Sequence, residues 1–153
     1  MNTSVSNIYQ ESYKNSSNIE YSYSNTEYFT PSNENIQAIN TVRSYSSLQN
    51  NWDSYNGLKT SSIAIQKAIS FILWLSEYQI NVFYVAPSPD GDVMVEIKKG
   101  DSNLEFEFTS SNCDNVCATE NGDYVQSADL NETTLRSYIK WLICPNGECP
   151  PNL

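Results

Sequence analysis

From Asn35 onward the apolar residues of the chain follow two rhythms, first helical and then alternating. In NIQAINTVRSYSSL, Ile36, Ile39, Val42 and Leu48 fit one face of a short helix. After the loop NNWDSYNGLKTSS, any of Thr60, Ser61 and Ser62 can cap a second helix, in which Ile65, Ala68, Ile69, Ile72 and Leu75 recur at spacings of three and four. Phe71 and Trp74 widen its apolar face, so this helix is expected to lie largely buried against a sheet. The period then shortens to two. NVFYVAPS reads as a strand ended by Pro87, Pro89 and Asp90-Gly91, because proline withholds a ladder donor and glycine accepts positive φ. Val93, Val95 and Ile97 alternate with Met94, Glu96 and Lys98, and Leu104, Phe106 and Phe108 with Glu105 and Glu107, which predicts a hairpin closed by the loop at 99–102. A second hairpin is expected from Val116 to Thr119 and Tyr124 to Ala128 around Asn121-Gly122. Asn131 with Glu132 opens a last helix carrying Leu135, Tyr138, Ile139 and Leu142 on one face. The fold class expected is α+β: two N-terminal helices, an antiparallel sheet of about five strands and a C-terminal helix, packed in two layers.

Residues 1–34 have neither rhythm. They are almost all Asn, Ser, Thr, Tyr and Glu, with Val5, Ile8, Ile19 and Phe29 isolated among them, and are expected to form a disordered arm. Tyr9, Tyr13, Tyr21, Tyr23 and Tyr28 recur along it. If the arm folds onto a partner, Tyr21, Tyr23 and Tyr28 are candidate contacts; otherwise it is a solubilising tail. The expected plan is therefore an arm at 1–34, one α+β domain at 35–143 and a Cys- and Pro-containing tail at 144–153. The first thirty residues lack the basic region and apolar core of a signal peptide, and the apolar run Phe71 to Leu75 is far short of the ~20 residues that span a bilayer. A cytoplasmic chain with no membrane partner is expected.

Composition then removes whole classes of chemistry. There are 18 acids, 8 bases and no histidine, giving a formal charge of -10. Absence of histidine excludes Ser/His/Asp and Cys/His catalysis, the HExxH metal motif and an imidazole switch, leaving carboxylates as the available general bases. The charge argues against direct nucleic-acid binding and attachment to anionic lipid, and for a basic protein partner. The five glycines stand alone between predicted elements, so GxGxxG and P-loop phosphate cradles are absent and no cofactor is expected.

The acidity is concentrated at residues 90–132, where eleven acids face two bases. With Val95 and Phe106 turned to the core, Glu96, Glu105 and Glu107 project together from the opposite face. Asp92, Glu96, Glu105 and Glu107 are thus the candidate partner-binding residues. A non-catalytic module that binds a basic protein is expected, with a nucleic-acid-mimicking decoy and a merely solvated face as alternatives. A small hydrolase is the remaining one. Glu105 and Glu107 stand roughly 6.5–7 Å apart by strand rise, nominally within the range of inverting glycosidases. They alternate with the apolar face, however, and should be too wet for the raised pKa that a catalytic acid needs.

Cys113, Cys117, Cys144 and Cys149 form C-x3-C and C-x4-C pairs, open to free thiols, a disulfide or zinc, although zinc ribbons favour C-x2-C. A cytoplasmic setting disfavours disulfides. Trp52, Asp53 and Tyr55 form an aromatic pair beside a carboxylate, as in a binding loop; alternatively Trp52 plugs the junction of the two helices while Asp53 caps backbone amides of the turn.

NNWDSYNGLKTSSIAIQKAISFI followed by APSPDGDVMVEIKKGDSNLEFEF resembles a widespread group of small uncharacterised bacterial proteins with an NWDGYGA-like motif, a helix and a P-x-PDG-x-hydrophobic-x-hydrophobic-E-W segment. Trp52, Asp53, Tyr55, Ala64, Ala68, Phe71, Pro89, Asp90, Gly91 and Glu96 match, over about residues 48–142. Ser54 and Asn56 stand at glycine-like positions, and Ile97 where tryptophan is usual. The resemblance implies a compact α+β domain, brings no enzymatic activity with it and points to accessory and mobile-element genes. The role expected is inhibitor or accessory factor in a bacterial conflict system of the antiphage, anti-CRISPR or toxin-antitoxin kind.

Overall fold

A computed structural model describes residues 30–149 and 153; the candidate contacts Tyr21, Tyr23 and Tyr28, with Tyr9 and Tyr13, lie outside the described residues. Helix α1 spans Asn33–Ser44, capped by Ser32, whose hydroxyl accepts the Asn35 N–H at 3.1 Å, and runs into a 3₁₀ turn at Tyr45–Ser47. It therefore begins inside the segment expected to be arm. Its inward face is Asn35, Ala38, Ile39, Val42 and Tyr45, whereas Ile36 turns outward and is 40% exposed. That corrects the expected stripe, and the reason is chemical. Asn35 Nδ2 donates to Ser76 Oγ at 2.7 Å and to the Ile80 carbonyl at 2.9 Å, while its Oδ1 accepts the Val82 N–H at 2.8 Å. A fully hydrogen-bonded amide is tolerated in a core, and here it sets the rotation of the helix.

Helix α2, Ser62–Glu77, is capped by Ser61, the middle one of the three candidates. Ala64, Ile65, Ala68 and Phe71 to Leu75 are buried. The sheet is antiparallel in the order β1-β2-β3-β4-β5, with β1 at Tyr84–Pro87, β2 at Val93–Lys99, β3 at Ser102–Phe108, β4 at Asn115–Glu120 and β5 at Asp123–Asp129. β1 starts later than NVFYVAPS predicts because Asn35 holds the Ile80 carbonyl and the Val82 N–H. Pro87 closes β1 from within the strand, an edge position where its missing N–H is tolerated. Helix α3, Glu132–Ile143, is capped by Asn131, whose Oδ1 accepts the Thr134 N–H at 3.0 Å.

The expected α+β architecture holds, with helices over one face of the sheet. Val93, Val95, Ile97, Leu104, Phe106, Phe108, Val116 and Ala118 form the covered face. The Phe71 ring of α2 lies 4.5 Å from Phe106 and 5.2 Å from Phe108 between centroids, and Leu135, Tyr138, Ile139 and Leu142 of α3 complete the same core. No helix among the described residues is long and apolar enough to cross a membrane.

The turn between β1 and β2 is fastened to the loop preceding α2. Leu58 N–H donates to the Pro89 carbonyl at 2.7 Å and Ser61 N–H to the Gly91 carbonyl at 2.8 Å. Gly91 has φ +86°, and a Cβ there would meet the Lys59 carbonyl at 2.9 Å, so both backbone angle and space require glycine.

Candidate functional site

The uncovered face of the sheet carries the acidic residues. Val95 and Phe106 point into the core, and register sets Glu96 directly opposite Glu105 and Met94 opposite Glu107. On β4, Cys117 faces Glu105 and Asn115 faces Glu107. Two of the three glutamates have side-chain donors. Asn103 Nδ2 reaches Glu96 Oε1 at 2.9 Å and is itself held by the Thr119 hydroxyl; Asn115 Nδ2 reaches Glu107 Oε2 at 2.7 Å. Among the described residues, Glu105 has no hydrogen-bonding or ion-pairing side chain.

That asymmetry sets the electrostatics. Partial burial, then the charges of Glu96 and Glu107, push the Glu105 carboxyl up from its ordinary value. Burial likewise pushes Asp92 up, with Glu107 adding to it and the Ser110 backbone N–H working the other way. The structure thus brings Glu96, Glu105 and Glu107 together and places Asp92 within electrostatic reach of Glu107. Lys98 shares strand β2 with Glu96, but its ammonium sits over the Phe83 ring, 5.4 Å from the centroid.

Asp114 does not belong to this acidic surface. Its carboxylate is buried against Lys67 of α2, with Nζ 3.0 Å from both oxygens, and also accepts the Thr109 N–H at 2.8 Å. Lys67 Nζ donates further to the Thr109 and Ser111 carbonyls. The side chains are 4% and 6% exposed, a structural ion pair closing the loop between β3 and β4. In the sequence Lys67 interrupts the apolar pattern just before the run Phe71 to Leu75. The signal was its spacing: three residues after Ala64 and four before Phe71, it sits on the inward face of α2. Asn35 carries the same signal, three residues before Ala38 and four before Ile39, but its partners Ser76, Ile80 and Val82 are distant in sequence.

Cys144 and Cys149 are joined in a disulfide, one of the three states open from sequence, whereas Cys113 and Cys117 are free thiols. Partial burial and then Glu105 push the Cys117 thiol up, so it is protonated and a poor nucleophile at neutral pH. Among the described residues no cluster of three or more His, Cys, Asp or Glu is placed to hold a metal.

In the 50–57 loop Asp53 Oδ1 accepts the Tyr55 N–H at 2.8 Å and the Gly57 N–H at 2.9 Å, the capping role expected of it. These bonds hold its carboxyl below its ordinary value. Trp52 is half-buried and donates its indole N–H to the Leu58 carbonyl at 3.0 Å, bracing the loop from within. Tyr55 is left 86% exposed. Asn51, Ser54 and Asn56 have φ of 66°, 66° and 69°, the left-handed region that favours glycine.

No protein-family profile matches the chain, and no curated protein or solved structure is significantly similar to it.

Proposed function

We propose that the protein is a non-catalytic binding module whose uncovered sheet face takes a basic protein partner, in the manner of an inhibitor or accessory factor of a bacterial conflict system. The observation that carries this is the register of β2 on β3, which sets Glu96 against Glu105 beside Glu107 on a face no helix covers. Keeping unneutralised carboxylates side by side works against stability; partial burial is the first cause of the raised Glu105 carboxyl, and the charges of Glu96 and Glu107 add to it. An incoming Lys or Arg relieves that repulsion, so binding energy is available where folding energy was forgone. The conflict-system setting and the cytoplasmic location are parts of the same proposal and draw on the sequence resemblance. Positive φ at Ser54 and Asn56 agrees with it, because these are its glycine-like positions.

The test is charge reversal of Glu96, Glu105 and Glu107 to Lys, measured against a basic partner recovered with the unaltered protein. Association should slow steeply with salt, because exposed charges are screened beyond about 8–10 Å at physiological ionic strength. The triple variant should lose on-rate while remaining folded. Binding indifferent to both salt and charge reversal refutes the acidic face. Turnover of a small molecule abolished by both Glu105→Gln and Glu107→Gln would establish the hydrolase instead.

A further inference from the structure

The two edges of the sheet are finished differently. β1 has four residues, ends on Pro87 and packs beside α1; its Val85 carbonyl accepts the Tyr45 hydroxyl at 3.0 Å. Burial, and then Tyr84, push the Tyr45 phenol up to about 12, so it remains a protonated donor. These features are the usual protections of an edge strand. β5 is longer, Asp-Tyr-Val-Gln-Ser-Ala-Asp over 123–129, with no proline and no base, and every residue except Ala128 is exposed.

One irregularity interrupts it. The register slips between Ala118 and Thr119, leaving Val125 as a bulge, but the ladder is regular from Gln126 to Asp129. Leu130 N–H donates to the Asp114 carbonyl at 2.8 Å, which fixes the alternation. Residues 126, 128 and 130 turn their backbone groups toward β4, and Ser127 and Asp129 turn theirs outward. Among the described residues nothing pairs with those outward groups. Their side chains extend the rows of the acidic face, Ser127 beyond Glu105 and Cys117, Asp129 beyond Glu107 and Asn115.

We infer that the β5 edge is a docking site for an extended, basic segment of a partner protein, which adds to the sheet as a sixth strand. This rests on the proposed acidic-face function and specifies how the partner seats. Backbone donors and acceptors alternating along an edge are matched by an extended chain. Charge selects a basic one: from Gly100 to Asn131 the chain has no Lys or Arg and, besides the buried Asp114 paired with Lys67, six acids. A second copy would bring that same acidic stretch against this one, and is disfavoured for that reason.

Two synthetic octapeptides serve as probes, one alternating Lys and Val, the other Glu and Val. They are titrated into the full-length protein while amide hydrogen exchange is followed residue by residue. The Lys peptide should slow exchange at Ser127 and Asp129, and the Glu peptide should not. Ser127→Pro removes an outward N–H without removing a bond to β4 and should weaken the Lys peptide about tenfold, the scale of one backbone hydrogen bond. Exchange in the unaltered protein decides the matter even if that variant fails to fold. Lys-peptide binding without protection at Ser127 and Asp129 overturns strand docking while leaving the acidic face standing. Failure of both peptides to bind, or equal protection by the Glu peptide, also overturns it. Protection of these amides before any peptide is added means that the edge is already covered, by a second copy or by this chain itself, and overturns it too.

Discussion

Asn35 shows how much a single side chain can organise. It joins the start of α1 to the end of α2 and to the segment that leads into β1, using its side-chain oxygen and both amide hydrogens. Asn35→Ala leaves the Val82 N–H and the Ile80 carbonyl without their partner in a buried setting, where each orphaned group costs about 1–3 kcal/mol. We expect a loss of about 2–4 kcal/mol in urea unfolding, without a change of fold. Ser54 offers the opposite sign. At φ 66° it occupies a conformation that serine adopts poorly, whereas Asn51 and Asn56, in the same region, are of a type that tolerates it. Ser54→Gly should stabilise the protein by about 0.5–1 kcal/mol, the relief of strain being partly offset by the greater freedom of glycine in the unfolded chain. A lower urea midpoint for that variant would count against strain at Ser54. The partners of Asn35 depend on residues that meet only after folding, whereas Ser54 is already marked in the sequence as a glycine-like position of its loop motif.

Among the elements, α2 and the sheet each contain one electrostatic arrangement whose removal is informative. The Lys67–Asp114 pair ties α2 to the loop between β3 and β4, with its ionic groups away from water. Asp114→Asn keeps an acceptor for the Thr109 N–H but leaves the Lys67 ammonium buried without a counter-charge. Such broken pairs cost about 3–5 kcal/mol, and thermal unfolding should show a loss of that order. On the sheet, Glu105 works in the other direction. A carboxyl whose folded pKa is raised binds more protons folded than unfolded, so its contribution to stability falls as pH rises through the window above the ordinary value of 4.5. Glu105→Gln should therefore gain stability at pH 7, by about 0.5 kcal/mol given the solvent screening of an exposed group, and gain nothing well below that window. Equal effects at both ends of the pH range would mean that packing, not charge, is responsible.

At the scale of the whole molecule, what the sequence by itself determined is the order and kind of elements and the side of the sheet on which the glutamates lie. Those follow from periods of 3.6 and 2, capping residues and turn dipeptides, all properties of neighbours along the chain. Alternation was enough to place Glu96, Glu105 and Glu107 together, because Val95 and Phe106 had to face inward. Tertiary structure decided which polar residues are not surface at all. Asp114, one of the eleven acids of 90–132, is interior because Lys67, 47 residues away, meets it there, and α1 turned Asn35 rather than Ile36 inward because Ser76, Ile80 and Val82 supplied partners. It also decided the unequal finish of the two sheet edges, since Tyr45 reaches Val85 across 40 residues while β5 has no such guard among the described residues. Local pattern records where a side chain points relative to its own backbone; whether that direction ends in water, in a partner or at an open edge is set by segments distant in sequence.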